Sequence, residues 1–79
     1  MKQTEFETLI AAHVVEEVVA HRRGDAWEVW AHGEAIPSDM GNRIHGTRSK
    51  GEIRTWATLD TLNKWVQERG WTGRLQVEN

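Results

Sequence analysis

The side chains able to do chemistry are four histidines, twelve carboxylates and a few hydroxyls; there is no cysteine. The most suggestive spacing is His13, Glu17 and His21, at i, i+4 and i+8. On a helix His13 and Glu17 would share one side and could hold a metal ion. The two ends of that set would lie about 12 Å apart, at a rise of about 1.5 Å per residue, so one ion cannot reach both. Solvated side chains that hold no ion are the plainer reading, and no metal or other cofactor is expected. Neither Ser38 nor Ser49 sits in a G-x-S-x-G elbow. Glu16 and Glu17 are neighbours that splay by about 100° on a helix and point apart on a strand, so they do not converge as an acid–base pair. Gly41, Gly46 and Gly51 match neither phosphate-loop pattern. Arg23-Gly24-Asp25 matches a cell-adhesion tripeptide but reads more simply as a turn. Lack of cysteine also removes thiolate catalysis and cysteine zinc sites. No catalytic set is left, and the expectation is a protein that is not an enzyme.

Binding is better represented. Five tryptophans, Trp27, Trp30, Trp56, Trp65 and Trp71, stand in 79 residues. A core this small does not readily enclose five indoles, each with an N–H that needs a partner when buried. A tryptophan left at the surface most often marks a protein contact. Trp65 and Trp27 are expected in the core, Trp30 and Trp71 are the candidate interface anchors, and Trp56 is undecided. Arg43, Arg48, Lys50 and Arg54 form a basic group beside Trp56, which could meet an acidic protein patch or follow a nucleic-acid backbone. Glu16, Glu17 and Glu28 form an acidic group that could imitate phosphates and occupy a basic channel.

Composition sets the frame for these groups. One short domain spanning residues 1–79 buries only about 60–65% of the surface its unfolded chain exposes, so its stability is modest. The net charge of −2 argues against a general nucleic-acid binder. Charge is uneven: residues 1–39 carry eight acids against three bases, residues 40–79 four against seven. No apolar run approaches the roughly 20 residues that span a bilayer, and no secretory leader is visible. A soluble, cytoplasmic protein is expected.

The elements that must position these side chains are partly legible. Thr4-Glu5-Phe6-Glu7 has the form of a capping box, so a helix is expected from there, with Phe6, Leu9 and Ile10 buried. Residues 13–23 allow two readings. Val14, Val15, Val18 and Val19 fit one face of a helix running on to Arg22, yet four β-branched residues favour a strand. In the second reading Arg22-Arg23-Gly24-Asp25 turns a hairpin of residues 14–22 with 26–33, and Trp27 and Trp30 face opposite ways. Residues 33–51 are punctuated by glycine, proline and serine and read as connection, with an irregular strand near Arg43–Arg48. Glu52–Ala57 alternates as a strand, with Ile53, Thr55 and Ala57 on one face and Arg54 and Trp56 on the other. Thr58 caps a second helix carrying Leu59, Leu62, Trp65 and Val66, and Gly70 ends it. Leu75 and Val77 mark a short last strand.

From Val18 to Val77 the chain resembles the ParC-like plasmid stability proteins. The resemblance is carried by the turn before a tryptophan strand (Arg22-Arg23-Gly24-Asp25-Ala26-Trp27) and by Lys50-Gly51-Glu52-Ile53-Arg54 with Trp56. Leu59-Asp60-Thr61-Leu62, Trp65 and Gly70 complete it. It implies a fold, favours the hairpin for residues 13–23, and carries no catalytic residue; the stretch Pro37–Arg48 is longer than the pattern. In size and character the chain is also similar to the anti-CRISPR proteins, without a shared motif. The expected architecture is α+β: an antiparallel sheet of about three to five strands with two helices, in the order α-β-β-β-α-β. The expected function is a mobile-element protein that binds and blocks a host protein complex, most concretely a CRISPR effector. The alternative is a plasmid partition or stability accessory protein with weak DNA contact.

Overall fold

Valines 18 and 19 decide the ambiguous segment: they lie in a strand. The structure, a computed structural model, describes residues 1–36, 43–44 and 53–78. In chain order it has α1 (Gln3–Ala11), β1 (Glu17–Arg23), β2 (Ala26–His32), α2 (Leu59–Glu68) and β3 (Leu75–Glu78). β1 and β2 form the hairpin, paired antiparallel from Glu17 opposite His32 to Arg23 opposite Ala26. Gly24 is the first residue of the two-residue turn and has φ +65°. Asp25 is outside the left-handed region, so the turn is of the type II′ kind, whose twist matches the strands it joins. Val14 and Val15 are not in the strand; Val15 is buried in the link from α1.

The helix cannot run on because it ends in a left-handed residue. His13 has φ +60°, and its N–H reaches Ile10 O at 3.0 Å while Val14 N–H reaches Leu9 O at 3.1 Å. This is a Schellman closure with histidine where glycine is usual. α2 closes the same way with Gly70 at φ +108°, where Gly70 N–H meets Gln67 O at 3.0 Å and Trp71 N–H meets Val66 O at 3.3 Å.

The helix starts differ from each other. Thr58 caps α2, accepting the Thr61 N–H at 3.3 Å. The expected capping box at Thr4 does not form: the cap of α1 is Lys2, with no side-chain bond, and the Thr8 hydroxyl donates to the Thr4 carbonyl at 2.8 Å. The cause lies one residue earlier. Met1 is buried and its amine donates to the Arg43 carbonyl, so the chain enters the fold before Thr4 and the first turn is already wound there. Burial holds that amine below its ordinary pKa, against a weaker upward pull from Glu5.

The sheet has the order β2-β1-β3 and is mixed, since β3 runs parallel to β1, from Val18 opposite Leu75 to His21 opposite Glu78. The expectation of an antiparallel sheet is corrected here. α2 carries the chain back along the sheet, so β3 re-enters beside β1 in the same direction. The strand expected at Glu52–Ala57 is reduced to bridges. Trp56 exchanges two 2.8 Å hydrogen bonds with Trp27, and Arg43 bridges Trp30, along the outer edge of β2. In this stretch Trp56 is the buried residue, while Thr55 and Ala57 are exposed. Glu52, and His45 to Arg48 of the expected irregular strand, lie outside the described residues.

One face of the sheet is the core. Val18, Ala20, Val29 and Ala31 are all fully buried there against Phe6, Leu62 and Val66. Trp65 stacks on Phe6 (5.6 Å, 7°) and tilts against Trp56 (5.0 Å, 54°). Of the expected stripe, Phe6 is fully buried while Leu9 and Ile10 are half-buried against the core; Trp65 is in the core as expected, and Trp27 is half-buried at its margin.

His13→Gly removes the side-chain penalty of a left-handed residue, and should raise stability by about 0.5–1 kcal/mol. Gly70→Ala imposes the same penalty and should lower it by about 1–2 kcal/mol. Urea unfolding followed by circular dichroism checks both, with an unchanged m-value.

Candidate docking face of the sheet

Because strand side chains alternate, the residues between the core positions stand on the other face. These are Glu17, Val19, His21 and Arg23 of β1, Glu28, Trp30 and His32 of β2, and Gln76 and Glu78 of β3. Among the described residues no helix covers this face. Its centre is Trp30, paired with Val19, which is buried beneath the surrounding side chains.

Trp30 is held from several sides. Its indole N–H donates to Glu28 Oε1 at 2.8 Å. The Arg43 guanidinium lies over the ring at 4.4 Å, close enough for a cation–π contact. His32 stacks nearly parallel to it at 6.3 Å, and His21 tilts against it at 5.3 Å. The ring is half-buried. A large aromatic surface is therefore presented with its rotamer already fixed, which reduces the entropy lost on binding.

The support beneath it is ionic. Glu28 is only 6% exposed, although it carries a carboxylate. Arg23 Nη1 lies 3.3 Å from its Oε2, and Arg43 Nε 3.6 Å from its Oε1. A buried carboxylate is tolerated when it is paired and hydrogen-bonded, and Glu28 has two cations and an indole donor. At the other side of the face, His21 Nδ1 is 3.4 Å from Glu78 Oε2, and Gln76 Nε2 donates to Glu17 Oε1 at 2.9 Å. Glu17, Val19, His21, Trp30, His32, Gln76 and Glu78 line a shallow depression of about 350 Å³.

The structure regroups the sequence candidates. Trp30, Glu17, Glu28 and Arg43 come together on this face. Glu28 is part of its foundation and not of an exposed acidic patch. Glu16 is elsewhere, accepting the Glu34 N–H at 2.5 Å. Trp71 packs against the core beyond α2, with its indole N–H on Arg74 O at 3.2 Å, so it and Trp30 do not share a surface. Arg54 is spent on the core side, over Trp56 at 5.0 Å and Trp65 at 5.1 Å, with Nη1 3.4 Å from Gln3 Oε1. Arg48 and Lys50 lie outside the described residues. The face also includes His21, His32 and Arg23, which are not among the candidates the sequence offers for a binding face. The signal was the period-two spacing of Glu28, Trp30 and His32, matched across the turn by His21 and Arg23. His13 stands in the turn after α1, not on β1 beside Glu17 and His21.

Compared with known protein families, with curated proteins and with solved structures, the chain finds no match. No helix among the described residues is long and apolar enough to cross a membrane.

Removing the Glu28 carboxylate leaves Arg43 facing an uncompensated, partly buried site and the indole N–H without its acceptor. Glu28→Ala should lower stability by about 2–3 kcal/mol. Glu28→Gln, which keeps an oxygen for the indole, should lose less. Urea midpoints of the two variants give the comparison.

Proposed function

We propose that this chain acts by contact, as a small non-enzymatic cytoplasmic protein that docks on a host protein complex through the open face of its sheet. The observation that supports this best is Trp30: a part-exposed indole, clamped by Glu28 and Arg43, at the centre of a face that no described helix covers. Aromatic anchors in fixed rotamers, ringed by polar groups, are what interface hot spots are made of. The rim supplies both signs, with Glu17 and Glu78 on one side and Arg23 on the other, which suits orientation and encounter rate. The sharper form of the reading is a mobile-element inhibitor of the anti-CRISPR kind that occupies a CRISPR effector and excludes its target.

The competing role, a partition or stability accessory with weak DNA contact, loses one of its cations. Arg43 is engaged by Glu28 and Trp30. It would rest on Arg48 and Lys50.

In cells with an active CRISPR effector, the protein should restore transformation by a targeted plasmid. Trp30→Ala should abolish that rescue, through a loss of about 2 kcal/mol or more of affinity. No rescue against any effector type sinks the inhibitor form. Rescue that Trp30→Ala leaves intact sinks the docking face. DNA binding that weakens steeply with added salt would instead support the partition role.

A further inference from the structure

β3 is the last strand of the sheet, and among the described residues nothing pairs with its second edge. Exposed strand edges are usually blunted by shortness, charge, proline or a bulge. β3, Leu75-Gln76-Val77-Glu78, is short and carries the charge of Glu78, but has neither lysine nor proline. It carries Val77, which among the described large hydrophobic residues stands most open to solvent at 46%. Beside the edge, α2 and β3 frame a groove of about 360 Å³, walled by Leu59, Asn63 and Gln67 on the helix and by Leu75 and Val77 on the strand. A strand edge flanked by a helix is a setting for β-strand addition.

The residues on this edge select their own occupant. A symmetric antiparallel pair of β3 strands, with both helical layers on one side, must place core-face residues opposite core-face residues. Only registers centred on a residue satisfy that. Centring on Leu75 sets Val77 opposite Gly73, and centring on Val77 sets Glu78 opposite Gln76. Centring on Gln76 sets Arg74 opposite Glu78 twice and Leu75 opposite Val77 twice. The charged pairs then lie on the docking-face side, and the apolar pairs lie in the groove side beneath α2. Arg74 is exposed and makes no ion pair among the described residues, and the Glu78 side chain is 64% exposed beside His21. We propose that β3 is a self-association edge, where a second copy of this chain adds its β3 antiparallel in the register centred on Gln76. The result is a continuous six-stranded sheet with two Trp30 docking faces side by side.

The test uses the purified chain alone, so it does not depend on the partner. Sedimentation equilibrium from about 1 µM to 1 mM should show a reversible monomer–dimer equilibrium. Arg74→Glu and Glu78→Arg each set like charges opposite each other at two symmetric positions, and each should raise the dimer Kd by at least about tenfold. The double variant Arg74→Glu/Glu78→Arg restores opposite charges and should recover the dimer to within about threefold. Both side chains are exposed, so the single variants should keep the parent circular dichroism and Tm. A chain that stays monomeric at 1 mM overturns the proposal, as does a dimer whose Kd neither single swap changes or the double swap fails to restore. Trp30→Ala should leave the dimer Kd unchanged, which separates this edge from the docking face.

Discussion

Trp65 is the contact on which the described fold depends. It projects from α2, stacks on Phe6 of α1, tilts against Trp56 beside β2, and meets the Arg54 and Arg69 guanidinium groups at 5.1 and 5.5 Å. Arg69 also reaches Glu7 of α1 at 3.4 Å. One indole thus ties both helices and the segment entering α2 into a single cluster. A domain of this size has few fully buried large side chains, so an aromatic that joins both helices to Trp56 supplies much of the available apolar burial. The two arginines close the polar edges of that cluster while their planes still pack on the rings.

The same economy explains why the two faces of the sheet differ. β1 is the central strand, and Val18, Val19 and Ala20 are buried on both of its sides. Toward the helices the neighbours are apolar. On the opposite side, cover comes from tryptophan, imidazoles and a buried carboxylate held by arginine. That second cover is polar enough to meet water and ordered enough to keep one shape. Specificity on such a face comes from the arrangement of fixed groups more than from area.

Much of the architecture was legible in the sequence because local rules govern it. The Gly24 turn, the Thr58 cap, the Gly70 stop and the alternation of Leu75 and Val77 each follow from a single residue's conformational preference, and each is found. Two helices in an α+β arrangement followed from those marks. Non-local facts were less visible. Nothing near Thr4 reveals that Met1 is buried against Arg43, which moves the helix start. Nothing in Leu75–Glu78 states that it will run parallel to β1, because direction is set by the return of α2. At the candidate site, Trp30 was legible as the residue out of phase with the core. Its partners were not: Glu28 reads as one more surface acid until the turn brings Arg23 beside it, and Arg43 reads as a loop cation until it is laid over the indole. Trp71, half-buried like Trp30, follows a helix-ending glycine and folds back through the Schellman closure to pack against the core from the helical side, which its place in the sequence does not reveal.

The mixed sheet favours local pairing ahead of distant pairing. The β1–β2 ribbon joins neighbours through a two-residue turn, and such ribbons form in about 1–10 µs. β3 lies near the opposite end of the chain from β1 and docks only after α2 has formed and swung back, a non-local step that loop closure makes slow. Until then the central strand shows an unprotected, valine-rich side to its surroundings. The interval between ribbon and closure is the moment when this small protein is most exposed to capture by other chains.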